Sequence, residues 1–217
     1  MWTYNGVKVH WLGHDCFVLS GSKTVILDPF KAKGDYRADV LMITHEHFDH
    51  LSDEDIKKFA GESTTIVAPR ICEEPLKSYG QEKVFVQPGS VVEVKGIKIE
   101  AVPAYNVNKF REPGKVFHPK EDGRVGYVVT LDGVRFYQAG DSDATPELKA
   151  VGVDVAFLPV SGTYVMTAEE AAEAAKEMKA KVVVPMHYQS IVGTRDDAER
   201  FKELLGNSKP VEILEQE

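Results

Sequence analysis

Cysteine and long apolar runs are both scarce in this sequence of 217 residues. Its two cysteines, Cys16 and Cys72, stand in an apolar strand-like stretch and at the start of a helical one. We therefore expect small buried side chains rather than a disulfide or zinc ligands. No apolar stretch approaches the roughly 20 residues that span a bilayer, and Met1–His10 has no signal-peptide core. These absences predict a soluble, cytoplasmic protein without a transmembrane segment.

Basic residues are also fewer than acidic ones. The sequence has 26 Lys and Arg and 34 Asp and Glu, so its formal net charge is −8. Nucleic-acid binding needs a basic surface, and no long basic run appears. A P-loop, a dinucleotide-binding fingerprint and a nucleophile elbow are missing as well. The sequence therefore predicts a small-molecule substrate and no nucleic-acid partner, and it leaves the oligomeric state open.

Short strands and turns fill the first two thirds of the chain, and a βαβα pattern follows. The predicted strands are Val7–Leu12, Cys16–Leu19, Thr24–Leu27, Asp39–Thr44, Thr65–Ala68, Val84–Val86, Val91–Val94, Ile97–Val102, Val125–Leu131, Val134–Gln138, Val153–Leu158 and Val182–Val184. The predicted helices are Asp53–Phe59, a short one near Ile71–Tyr79, Ala168–Lys179 and Asp196–Leu205. No linker or fixed repeat divides the chain, so one domain over residues 1–217 is expected. Two similar halves predict an α/β fold with two packed sheets and outer helices, an αββα sandwich.

The motif HEHFDH, residues His45–His50, is the strongest chemical signal in the sequence. It directly follows the apolar run Asp39–Thr44, which is typical of a strand covered on both faces. In an extended segment, His45 and His47 point the same way and can share one cation. Asp49 and His50 then turn toward the next helix and can reach a second cation. The pattern H-x-H-x-D-H has an expected chance frequency on the order of 0.0005 in this composition, so clustered metal ligands are favoured over a surface loop.

Two further candidate ligands follow predicted strands. Asp141 comes after Val134–Gln138, and His187 comes after Val182–Val184. The carboxyl ends of strands are where α/β folds collect ligands. Taken alone, Asp141 could be a turn residue and His187 a histidine bonded to a carbonyl. Together with the HEHFDH motif, both are predicted metal ligands.

These separated segments resemble the metallo-β-lactamase superfamily over most of the chain. The strand that ends in Asp28-Pro29, the HEHFDH motif, Gly140-Asp141 and His187 match the motifs of that family in their order. Smaller cues around His14, Leu158–Tyr164 and Met166–Ala171 resemble a prokaryotic hydrolase branch that includes ascorbate-6-phosphate lactonases, with a more distant likeness to N-acyl-ethanolamine phospholipase D. The resemblance implies an αββα sandwich, a metal-bridging role for Asp141 and a Zn-dependent hydrolase.

The sequence departs from that family at the third histidine of the first metal site. Many members place it directly after the strand that here ends in Pro103-Ala104, where this chain has Tyr105-Asn106. The one histidine between Asp55 and Asp141 is His118, within the loop Asn106–Gly123. We predict that His118 is the ligand. The alternative is a site with three protein ligands that water or substrate completes.

Two residues receive roles beside the metals. Asp28 is predicted to orient a ligand or the motif loop from outside the coordination sphere. His14, in a loop after Gly13, resembles a histidine near the metals of the same branch. It is predicted either to contact substrate or to support a ligand, with a purely structural histidine as the alternative; the sequence also leaves open whether His14 rather than His118 completes the first site.

The predicted chemistry is hydrolysis by a hydroxide shared between two divalent cations, whose water has its pKa lowered from about 15.7 toward ~7. Asp49 is the predicted catalytic residue, which positions the hydroxide and carries its proton away. His and carboxylate ligands suit Zn²⁺ but also Mn²⁺ or Fe²⁺. The family resemblance favours zinc. An iron-containing redox enzyme and a nuclease are the alternative functions.

The loop between Lys109 and Arg124 is locally basic within an acidic protein. Lys109 and Arg111 are therefore predicted to bind an anionic substrate, such as an ester, lactone or phosphodiester that carries a phosphate or carboxylate. The alternative is a solvated loop, because loop charges are common.

Overall fold

The computed structural model describes all 217 residues, which form two β-sheets of mixed strand direction and five helices. The seven-stranded sheet has its strands in chain order: β1 Trp2–Tyr4, β2 Val7–Gly13, β3 Cys16–Ser20, β4 Thr24–Leu27, β5 Ala38–Met42, β6 Ala60–Pro69 and β7 Glu82–Val86. The six-stranded sheet contains β8 Val91–Val94, β9 Ile97–Pro103, β12 Val125–Leu131, β13 Val134–Gln138, β14 Gly152–Pro159 and β15 Lys179–Met186, in the order β15-β14-β13-β12-β9-β8. A separate hairpin consists of β10 Phe110–Glu112 and β11 Lys115–Val116.

The helices are short. They are α1 Asp53–Phe59, α2 Glu73–Leu76, α3 Pro146–Lys149, α4 Ala168–Glu177 and α5 Arg195–Leu205, with 3₁₀ turns at Arg70–Cys72 and Lys120–Asp122. Ser52 caps α1, and Thr167 caps α4 in a reciprocal pair with Glu170. No helix combines the length and the apolar character that crossing a bilayer requires.

Alternate residues of β5 show why the two sheets pack as they do. Val40 and Met42 belong to the large core between the sheets, whereas Leu41 belongs to a second core that includes Ile56 of α1. Across the sheets, the rings of Phe17 and Phe157 stack with centroids 4.1 Å apart. Because α1 covers the outer face of one sheet and α4 and α5 pack against the other, the predicted αββα sandwich is confirmed.

Several local predictions are also confirmed. The turns at Lys95-Gly96 and Asp132-Gly133 have positive φ at both residues, as their sequences indicate. Both cysteines are free and buried.

Other local predictions were wrong in extent. The expected helix near Ile71–Tyr79 is a 3₁₀ turn followed by α2 alone, since Pro75 fits only a first helical turn. Strand β6 begins at Ala60, directly after α1, rather than at Thr65. The hairpin β10–β11 was not predicted, because the exposed segment Phe110–Glu112 has no apolar alternation.

The parallel strands of the two sheets have their carboxyl ends on the same side of the sandwich. Strands β4 to β7 run parallel to one another, and so do β13 to β15. Parallel strands present their carboxyl ends at a common edge, where loops can gather side chains from distant parts of the chain. The candidate site lies at this edge.

Candidate metal centre

Three residues at this edge stand directly after a strand and have left-handed backbone. They are His14 after β2, Asp28 after β4 and His187 after β15, with φ of 52°, 41° and 60°. This region is uncommon for residues other than glycine, although His and Asp adopt it more often than most. Such conformations cost free energy and concentrate at functional sites, where the surroundings hold them. Each places its side chain among the others at the edge.

The predicted ligands form two clusters, which we call the first and the second cluster. The first cluster consists of His45, His47 and His118, and the second of Asp49, His50 and His187; a nitrogen of His14 lies within 4.8 Å of the ligand atoms of the second cluster. In the first cluster, Nε2 of His45 lies 3.1 Å from Nδ1 of His47, and Nε2 of His118 lies 3.4 Å from the same atom. The loop histidine His118 is therefore brought to the two histidines of the motif.

Asp141 lies between the two clusters, and its two carboxylate oxygens face different ones. Its Oδ1 is 3.3 Å from Nε2 of His50 and 3.3 Å from Nε2 of His187. Its Oδ2 is 3.6 Å from Nε2 of His118 and 3.9 Å from Nε2 of His45. A carboxylate in this position can ligate a cation on each side.

The outward-facing nitrogen of three histidines has a partner outside the clusters. Nδ1 of His50 lies 2.9 Å from Oδ2 of Asp28, and Nδ1 of His187 lies 2.9 Å from Oγ of Ser161. Nδ1 of His118 lies 2.9 Å from Oδ1 of Asn106. A proton on each Nδ1 leaves the Nε2 lone pair directed into the site, which is the arrangement that orients histidine ligands of metals. Asn106 and Ser161 were not predicted to take part, because no local pattern marks a loop side chain that bonds a distant histidine.

Burial sets the charge state of three of the histidines. It lowers the pKa of His118 and of His14 to about 4 and that of His45 well below its usual value, so these rings are neutral near pH 7. Neutral imidazole is the form that binds a cation. Burial alone would raise the pKa of Asp141, but the charges of His187 and His50 hold it well below the usual range. Burial alone would likewise lower the pKa of His50 and of His187, but the charge of Asp141 raises both above the ordinary value. His45, His118 and His14 therefore offer neutral nitrogens, whereas His50 and His187 must give up a proton when a cation binds.

Several buried polar atoms at the site have no hydrogen-bond partner. They include Nε2 of His50, Nε2 of His187 and Oδ1 of Asp141, which face one another at the second cluster. Buried polar atoms without partners are costly, and a native protein satisfies nearly all of them. A divalent cation would satisfy these atoms, so the donor set fits the metals that the sequence predicts.

His14 is held under the second cluster and does not contact open space. Its Nε2 is 3.1 Å from Oδ2 of Asp49, its ring centroid lies 4.3 Å from that of His187, and its side chain is fully buried. The predicted contact of His14 with substrate is therefore replaced by a contact with Asp49. The adjacent Asp15, which the sequence did not single out, is also fully buried, and its burial raises its pKa to about 7.

The prediction that Lys109 and Arg111 bind an anionic substrate does not agree with their placement. Nζ of Lys109 lies 2.6 Å from Glu170 and 3.4 Å from Asp143. Its charge is therefore paired with carboxylates of the protein. Arg111 lies on the exposed hairpin. Neither residue lines the cavity beside the clusters. The local excess of basic residues does not coincide with the cavity, because Lys109 is paired with acidic residues of distant segments and Arg111 lies on the exposed hairpin.

A cavity of about 430 Å³ opens beside the two clusters. The residues that line it are His47, Phe48, Asp49, Phe117, His118, Asp141, Tyr164, Ile191 and Val192. This volume falls within the range of small-molecule sites. A hollow of about 530 Å³ elsewhere, beside Arg70 and Lys83, contains no histidine. The cavity at the clusters is therefore the candidate active site.

Comparison with known proteins gives consistent matches. The profile of the β-lactamase superfamily domain matches residues 8–187. The UPF0173 metal-dependent hydrolase of Methanoculleus marisnigri is 34% identical over 216 residues, which cover 95% of this chain and 92% of that protein. A crystal structure from Parabacteroides distasonis has 32% identity and a TM-score of 0.84, and the match covers 97% of this chain and 94% of that one.

A more divergent structure shows the same fold. The metallo hydrolase Igni18 of Ignicoccus hospitalis has 24% identity and a TM-score of 0.79, with 97% of this chain and 95% of that chain covered. The family model and the relative with 34% identity confirm the predicted superfamily. The likeness to ascorbate-6-phosphate lactonases is not tested by these matches and stays a prediction.

Proposed function

Because this chain belongs to the metallo-β-lactamase superfamily, and within it to the UPF0173 metal-dependent hydrolases, we propose that it hydrolyses a small ester, lactone or phosphodiester with two divalent cations. The observation that carries the proposal is the position of Asp141, whose two oxygens face the two clusters. A donor set with one carboxylate between two groups of ligands suits a pair of cations better than one.

Each cluster would hold one cation. His45, His47 and His118 would bind the first, and Asp49, His50 and His187 the second, with Asp141 shared between them. His and carboxylate donors without thiolate accept zinc, manganese or iron, and zinc is our preferred assignment. When bound, such a pair of cations lowers the pKa of a shared water toward ~7 and so supplies a hydroxide nucleophile near neutral pH.

Two residues of this chain would accept the proton and position the group that accepts it. Asp49 lies at the cavity wall and would accept the proton of the nucleophile. Burial alone would raise the pKa of Asp49, but its hydrogen bond with His14 contributes to lowering it, so this carboxylate is ionised near pH 7. Because His14 touches Asp49 rather than the cavity, we assign it to positioning that carboxylate.

A substrate panel tests this proposal. The metal-loaded protein is incubated with carboxylic esters, lactones, thioesters, phosphodiesters and single-stranded DNA, and Asp141→Ala serves as the inactive variant. We expect turnover of at least one ester, lactone or phosphodiester class and its loss in Asp141→Ala. Turnover of DNA alone would favour a nuclease. A visible absorption band of bound iron, together with no hydrolysis, would favour the redox alternative.

A further inference from the structure

The wall of the active-site cavity contains several of the exposed large hydrophobic side chains of the protein. Seven large hydrophobic side chains are exposed, and Phe48, Tyr164 and Ile191 are three of them, with 67%, 38% and 38% of their surface accessible. All three line the cavity beside the two clusters. Contiguous exposed apolar surface marks a binding site more often than scattered exposed residues do.

These side chains belong to a wall with defined contacts. The ring of Phe48 meets Phe30 edge-on at 5.7 Å, and the ring of Tyr164 meets Phe117 edge-on at 4.7 Å. The loop that carries Ile191 packs closely on the loop that carries Tyr164. A Cβ added at Gly193 in the first loop would lie only 2.7 Å from Cβ of Ser161 in the second. The wall is therefore fixed to the same Ser161 that holds His187.

The cavity also lacks a cation that could bind an anionic tail. No Lys or Arg lines it. Lys109 is paired with Glu170 and Asp143, and Arg124 is paired with Glu46 and Asp122. The carboxylates of Asp49 and Asp141 face the cavity instead, so a second negative charge on the substrate, away from the clusters, would meet no partner.

From these observations, and resting on the proposed function, we propose that the substrate carries a neutral apolar acyl, alkyl or aryl group. That group packs against Phe48, Tyr164 and Ile191 while the hydrolysed bond lies at Asp141. The cleavable group thus meets the polar floor of the cavity, and the apolar group meets its wall.

A matched pair of carboxylic acids tests this inference through binding. Hexanoate and adipate have the same chain length, but adipate ends in a second carboxylate. Their affinities for the metal-loaded protein are measured by isothermal titration calorimetry. We expect hexanoate to bind at least about tenfold more tightly than adipate, and more tightly than acetate, because each buried methylene adds affinity in an apolar pocket.

Two variants test whether the preference for hexanoate arises at the cavity wall. The double variant Phe48→Ala, Ile191→Ala should lose most of the preference for hexanoate. Phe110→Ala removes another exposed phenylalanine, outside the cavity, and should keep the preference. All three side chains are largely or partly exposed, so folding should be preserved, which circular dichroism checks. The inference would be overturned if the two acids bound equally well, if adipate bound more tightly, or if neither acid bound. An unchanged preference in the double variant would also overturn it.

Ester hydrolysis and acid binding separate the hydrolytic reaction from the apolar site. If the protein hydrolyses acetyl and hexanoyl esters equally well, the proposed function stands and the apolar substrate group is excluded. If hexanoate binds as expected but no ester, lactone or phosphodiester is hydrolysed, the apolar site stands as a binding site and the hydrolytic reaction is excluded.

Discussion

Oδ2 of Asp28 lies 2.9 Å from Nδ1 of His50, and both side chains are fully buried. The same carboxylate accepts hydrogen bonds from the backbone N–H and the hydroxyl of Thr44, at 2.8 and 2.7 Å. Thr44 directly precedes the HEHFDH motif. One carboxylate therefore fixes both the start of the motif loop and the ring orientation of His50.

Replacing this carboxylate should weaken metal binding without removing a ligand. We expect Asp28→Asn to lower the affinity of the second site about 10- to 100-fold, the usual cost of removing a partner that orients a ligand. Competition with a chromophoric chelator measures the affinity. Asp35→Asn, at an exposed carboxylate, is the control and should bind metal as the wild type does. Unchanged affinity in Asp28→Asn would show that Asp28 does not orient His50.

If His118 is a metal ligand, metal binding should be coupled to the order of its loop. Asn106 bonds both its backbone N–H and its ring, so a cation on His118 would tie the loop 106–123 to the site. We expect His118→Ala to lose about one metal equivalent and the protease protection of this loop, and excess Zn²⁺ to restore both in part.

His14→Ala is the matched comparison for His118→Ala. Because His14 supports Asp49, this variant should keep both metals and lose activity. If His118→Ala kept two tightly bound metals while His14→Ala lost one, the assignment of the two histidines would have to be exchanged.

Gly126 should be intolerant of any side chain. An added Cβ would lie 2.5 Å from the carbonyl oxygen of Gln138 and 2.7 Å from that of Ala139, both of which are backbone atoms just before Asp141. We expect Gly126→Ala to lower the free energy of unfolding by about 1–3 kcal/mol through overpacking. Denaturant titration measures the change, and Gly152→Ala, whose Cβ meets its nearest atom at 3.9 Å, is the control. Equal stability of the two variants would contradict the close approach.

Lys109 should matter for stability rather than for substrate binding. Its ammonium pairs with Asp143, whose side chain is only 2% exposed, and removal leaves that carboxylate buried without its cation. We expect Lys109→Ala to destabilise the protein by about 1–3 kcal/mol. At a temperature where the variant stays folded, kcat/KM on the best substrate should not change, and Arg111→Ala should alter neither quantity. A fall in kcat/KM for both variants would restore their predicted role in anion binding.

The sequence predicted those parts of the site that depend on local pattern. The apolar run before His45 and the strands before Asp141 and His187 are visible in the sequence, and strand ends of an α/β fold converge. The convergence of His118 was predicted only by elimination, since its position depends on Asn106 and on a hairpin with no apolar alternation.

Long-range contacts account for what the sequence did not reveal. The acidic partners of Lys109 are 34 and 61 residues away in the chain, at Asp143 and Glu170. The cavity wall likewise combines Phe48, Tyr164 and Ile191 from three separate loops. Such neighbours are set by the packed fold, and no single stretch of sequence carries them.

If Asp141 joins two cation sites, the saturated protein binds two metal ions, and its metal content can be measured. The protein is purified without chelators, equilibrated with Zn²⁺, freed of unbound metal and analysed by inductively coupled plasma mass spectrometry. We predict about two metal ions per chain in the wild type and a clearly lower content in Asp141→Ala. One ion or none per wild-type chain at saturation, or two tightly held ions in Asp141→Ala, would show that Asp141 does not join two cation sites.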